Sequence, residues 1–68
     1  MPQQYLYQVT IEYDEDGDIE AVTYEVYAFS EAEAKQKAKS RWAKAGKLGL
    51  KILGIAVSII AAVHGSGA

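Results

Sequence analysis

The run Asp14-Glu15-Asp16-Gly17-Asp18 is the densest group of oxygen ligands in the chain, and calcium is the ion it would suit. A helix-flanked calcium loop needs a glycine at its sixth position and a bidentate glutamate at its twelfth. Setting Gly17 at the sixth position puts Glu12 first and Thr23 last. Threonine cannot supply two carboxylate oxygens, and the flanking residues alternate as strands do. The run therefore reads as a solvated hairpin turn. No other metal chemistry is offered. There is no cysteine, and the single histidine, His64, lies close to the end of the sequence. No cofactor or metal is expected.

Nucleophilic chemistry has as little to work with. Ser30, Ser40 and Ser58 lack the strand-turn-helix context of an activated serine. The glycines at 46, 49 and 54 do not make a phosphate loop. The carboxylates are many, but they belong to a turn, and a chain of 68 residues has little room for a cleft. The expectation is a protein that is not an enzyme.

Charge is the remaining source of specificity. Residues 1–29 hold seven carboxylates (Glu12, Asp14, Glu15, Asp16, Asp18, Glu20 and Glu25) and no cation. Residues 30–68 hold seven cations against Glu31 and Glu33, leaving a net charge of −2. The seven early carboxylates are the expected contact set for a basic partner surface, which they would find by long-range attraction. The cations Lys35, Lys37, Lys39, Arg41, Lys44 and Lys47 make a competing set, able to track phosphates. Nucleic-acid binding through 35–47 is thus the alternative, against an acidic overall balance.

These side chains need elements to hold them. Residues 5–13 alternate, with Tyr5, Tyr7, Val9, Ile11 and Tyr13 on one face, as in a half-buried strand. Asp16-Gly17 supplies residue types for a tight hairpin. Residues 19–29 alternate again, with Val22, Tyr24, Val26 and Ala28 together. Ser30-Glu31-Ala32-Glu33 is a capping box opening a helix over roughly 31–45, with Ala34, Ala38, Trp42 and Ala45 as its buried stripe and Gly46 as its stop.

The last segment decides between a membrane and a sheet. Ile52 to Val63 carries no charge, but as a helix it would span about 18 Å, short of a hydrocarbon core of about 30 Å. Its β-branched residues and Gly54 favour a strand. Leu53, Ile55, Val57 and Ile59 should face the helix, and Ile52, Gly54, Ala56, Ser58 and Ile60 the other side. The predicted fold is α+β: ββαβ, a three-stranded antiparallel-type sheet in order 2-1-3 with one helix on one face. One domain is expected over 1–63, followed by a disordered tail, 64–68. Leu6, Ala21, Tyr27, Ile52, Ala56 and Ile60 then make an apolar open face, to be covered by a second copy in a homodimer, the expected state, or by a different protein. MPQQYLYQVT has no basic or apolar leader pattern, so a cytoplasmic protein is expected, and membrane binding is not.

The stretch EVYAFSEAEAKQKAKSRW followed by KILGIAVSII resembles small accessory proteins of bacteriophages and other mobile elements. These include acidic anti-CRISPR inhibitors of similar size. The resemblance implies a non-catalytic binding protein acting in a host cytoplasm, and it carries over no individual residue. A structural subunit of a larger assembly is a third expectation.

Overall fold

The computed structural model describes residues 3–47 and 49–62. Strand β1 (Tyr5–Glu15) turns into β2 (Asp18–Ala28), helix α1 (Glu31–Trp42) follows, and β3 (Lys51–Ala62) ends the sheet. The strand order is β2-β1-β3, with β1 antiparallel to both neighbours. This is the predicted ββαβ arrangement. The final apolar segment is a strand, and no helix among the described residues is long and apolar enough to cross a membrane. The expected tail, 64–68, with His64, lies outside the described residues.

The hairpin closes through two residues, Asp16 and Gly17, between the paired Glu15 and Asp18. Both have positive φ, 55° and 88°, as a turn matched to the twist of its strands requires. Asp14 fixes the turn by accepting a 2.9 Å hydrogen bond from the Gly17 N–H. At the helix start, Ser30 is the N-cap and its Oγ accepts from the Glu33 N–H at 3.2 Å. Glu33 answers by accepting from the Phe29 N–H at 2.7 Å, one residue earlier than the usual reciprocal bond.

The core lies between α1 and one face of the sheet. Tyr7, Val9, Ile11 and Tyr13 of β1, Val26 and Ala28 of β2, and Ala34, Ala38 and Trp42 of α1 are buried. Two alanines on the stripe let the helix lie close, and Trp42 fills the far end against Tyr13, ring centroids 5.7 Å apart. The Trp42 indole N–H has no hydrogen-bond partner among the described residues. Ala45, expected on this stripe, is exposed instead. The helix widens to a π-turn over Ala43–Lys47, which rotates Ala45 away from the stripe, and Gly46 stops it with φ 87°.

Strand β3 departs most from the sequence expectation. Its pairing with β1 shifts between Glu12/Tyr13 and again between Leu6/Tyr7. Leu53 and Ile60 are the extra residues, as in β-bulges. The first shift places Ile52 opposite buried Tyr13, so Ile52 packs against the core and Leu53 is 46% exposed. Their expected sides are thereby exchanged, and Ile52 leaves the proposed open-face interface. Ile55 and Val57 keep their place on the helix side. Ile59 lies opposite core residue Tyr7 but is 56% exposed, because α1 packs chiefly on β2 and β1.

Candidate interaction surfaces

The hairpin end gathers part of the acidic set. Asp14 pairs across the ladder with Ile19, Glu15 with Asp18, and Glu20 with Tyr13, while Asp16 forms the turn. Glu12 and Glu25 stand further along the open face, opposite Ala21 and Gln8. Five of the seven carboxylates thus lie at the hairpin end, but alternation divides them: Asp14 shares the open face with Glu12, whereas Glu15, Asp18 and Glu20 point to the helix-bearing face. Two of the five are tempered by cations. Lys51 lies opposite Asp14. Lys47 reaches both Glu15 oxygens at 3.4 Å and sits 5.4 Å from the centre of the Tyr13 ring. The Glu15 carboxylate holds the Lys47 ammonium above its usual range, against the opposing effect of burial. Contacts of that length on half-exposed side chains contribute little to stability. Asp16, Asp18 and Glu20 are exposed and make no ion pair among the described residues. Ile19, 71% exposed, stands on the open face across from Asp14 and diagonal to Glu12, while its chain neighbours Asp18 and Glu20 point to the opposite face. Sequence reasoning placed Ile19 in the second strand and missed it as a surface feature. Its carboxylate neighbours on both sides were the signal that could have found it.

The basic helix is organised differently. Lys35 and Lys39 are exposed, whereas Lys37 and Arg41 turn toward β2. Lys37 Nζ donates to the Tyr27 carbonyl at 2.6 Å and Arg41 Nη1 to the Glu25 carbonyl at 3.1 Å. The spacing explains the match. Four helical residues rise about 6 Å, and two strand residues span about 6.6 Å. Two cations one turn apart thus meet two alternate carbonyls of the edge strand, with α1 antiparallel to β2. A shallow groove of about 340 Å³ lies here, lined by Val26, Tyr27, Lys37, Ser40, Arg41 and Lys44.

The open face is less apolar than its sequence pattern suggested. Leu6 and Tyr27 are paired at one end, with Ala61 beside Leu6. Gln8, Glu25 and Ser58 follow, then Thr10 and Thr23, whose hydroxyls are 3.0 Å apart. Of the proposed interface residues, Leu6, Tyr27 and Ala56 occupy this face, but the polar row of Glu25, Gln8 and Ser58 separates Ala56, itself beside Thr10, from the Leu6–Tyr27 end. Ile60 is the extra residue of the second β3 irregularity, 46% exposed.

The third surface is the outer edge of β3. Between the two irregularities, Gly54–Ile59 pairs regularly with β1 on its inner side. Its outer side meets no other strand of the sheet. From Ile52 to Ala62 the strand bears no charge, and none of its residues is fully buried. No family model, curated protein or solved structure matches the chain.

Proposed function

We propose that this chain is a non-catalytic protein-binding module that uses its hairpin end to occupy a basic surface on another protein. The observation that carries the reading is Ile19. A β-branched side chain, 71% exposed, stands on the open face across from Asp14, with Glu12 diagonal to it and Asp16 in the adjoining turn. An apolar anchor inside a charged rim is the usual anatomy of a small protein-binding site. The rim steers a cationic surface and the anchor supplies the buried contact. A phage-type inhibitor working in a host cytoplasm is the biological setting that fits this chemistry.

The test is the variant Glu12→Gln/Asp16→Asn/Asp18→Asn, which spares the turn-fixing Asp14. A partner captured by the wild-type chain at low salt should be lost by the variant, and wild-type binding should weaken as salt rises. Equal affinity of the two for the purified partner at low salt would contradict the reading. The groove beside Lys37, Arg41 and Lys44 favours a second reading, binding of nucleic acid by α1. That reading requires a salt-dependent shift with DNA or RNA that disappears in Lys35→Glu/Lys39→Glu/Lys44→Glu. These three are the better choice because Lys37 and Arg41 hold the edge of β2.

A further inference from the structure

The geometry points to a closed homodimer formed by antiparallel pairing of β3 with β3 of a second copy, giving one continuous six-stranded sheet. An open-ended sheet has two edges, and here they are unlike. The β2 edge has the Glu25 and Tyr27 carbonyls occupied by Arg41 and Lys37. The β3 edge presents a β-branched strand, uncharged from Ile52 to Ala62, with none of the usual guards of an edge among the described residues except Lys51 at its start and its two irregularities. Those irregularities bracket Gly54–Ile59 and leave it regular, which sets the segment that can pair.

The occupant is argued from the composition and polarity of the strand. A partner strand must itself be uncharged and apolar over the same length, and β3 meets that condition. In a two-fold register centred on Ala56, Ile55 faces Val57 of the second copy and Leu53 faces its Ile59. Lys51, the strand's single charge, then faces Ala61 of the second copy. Like charges are kept apart on a larger scale too. β3 begins beside the acidic hairpin end, where Lys51 lies opposite Asp14, and ends at the other pole, where Ala62 lies opposite Tyr5. Antiparallel pairing therefore sets each hairpin end beside the uncharged end of its neighbour. The two-fold axis is perpendicular to the sheet, so both helices lie on the same face. Ile59, exposed where α1 does not reach, then lies beside the second copy's β3 and its helix-bearing face. Pairing uses up the single open edge of each copy, so assembly stops at two. The inference stands apart from the proposed function, because the hairpin end is not part of the pairing.

The test is solution mass by size exclusion with light scattering at micromolar concentrations, for the full chain and for Ala56→Lys/Ser58→Lys. Both positions are exposed and lie on the open face, so a lone strand tolerates lysine there, while four lysines meet across the two-fold. The expected result is twice the 7.4 kDa chain mass for the wild type and a twofold drop for the variant, with circular dichroism unchanged. A wild-type mass of one chain overturns the inference, and so does a mass above two. A folded variant that stays dimeric overturns it as well. Loss of the dimer in a folded Leu6→Ser/Tyr27→Ser variant would assign the contact to the open face and overturn the inference, because edge pairing leaves both residues outside the contact. If the double variant does not fold, Ser58→Lys alone is read the same way, and the wild-type mass decides by itself against a monomer.

Discussion

The two edges of the sheet belong to strands of nearly equal length, yet they are finished in opposite ways. β2 alternates, carries Asp18, Glu20 and Glu25, and has two of its carbonyls held by cations from the helix above it. β3 is uncharged from Ile52 to Ala62 and has no such cover among the described residues. The difference teaches that an edge is closed by the element that crosses it. α1 follows directly on β2 and runs back antiparallel to it, so its i and i+4 cations fall on alternate β2 carbonyls. It then passes to β3 only at the hairpin end and never lies along that strand's outer side. Two cations of the basic second half thus close part of the β2 edge, while β3 carries no charge from Ile52 to Ala62.

The comparison can be broken at several points, and the largest effect is expected in the core. Trp42→Ala should cost about 3–5 kcal/mol, the usual cost of emptying a buried aromatic site, because Trp42 is 4% exposed and anchors the helix on Tyr13. Ile59→Ala, at a residue 56% exposed, should cost about 1 kcal/mol or less. Both are measured by urea unfolding in the Ala56→Lys/Ser58→Lys background, so that strand pairing between copies does not enter. Equal costs would mean that β3 is as deeply covered as β1.

The next effect is on assembly. Lys37→Glu/Arg41→Glu removes both donors from the β2 carbonyls and opens the second edge. Two open edges permit an unending sheet, so the mass should rise beyond two copies with concentration. A mass unchanged from the wild type would show that these two bonds are not what closes β2.

Smaller effects concern how the helix is fastened. Ser30→Ala should lower stability by about 1 kcal/mol through loss of the cap to the Glu33 N–H. Glu33 keeps its bond to Phe29, so the helix should shorten at its start rather than unfold, which circular dichroism would show as a small loss of helical signal.

The smallest effect is a decline in stability at high pH. Burial, aided by the Glu31 carboxylate, raises the Tyr7 hydroxyl above its ordinary value of 10.0. The Glu15 carboxylate raises Lys47 above 10.5. In both cases the folded state holds its proton more tightly. Their contribution is therefore complete below pH 10 and is lost as pH rises through the folded values. Thermal unfolding should show a falling limb that begins near pH 10, and Tyr7→Phe should shrink it. A limb of the same size in that variant would remove Tyr7 from the explanation.

Much of the fold was legible because local chemistry and periodicity agreed. Asp16-Gly17 allowed only a tight turn, Ser30 with Glu33 marked the helix start, and the alternation of Tyr5 to Tyr13 fixed which side of β1 would be buried. β3 was harder for a physical reason. Period two locates faces only while no residue is inserted, and in a strand apolar on both sides a bulge leaves no polar residue out of place to reveal it. Ile52 and Leu53 were exchanged for that reason. The reach of Lys37 and Arg41 was hidden as well, since both read equally well as solvated surface cations until the helix is laid along β2. In the candidate site, the sequence located the acidic residues but not their grouping. Alternation divides the hairpin-end carboxylates between two faces, and Ile19 lies beside Asp14 and Glu12 on the open one.

Amide hydrogen exchange, resolved by residue and compared between dilute and concentrated protein, tests the asymmetry of the two edges most directly. The account predicts that outward-pointing amides within Gly54–Ile59 gain protection as concentration rises, while those of β2 do not change. Protection that grows along β2 while β3 stays unchanged, or that does not respond to concentration on either strand, would contradict it.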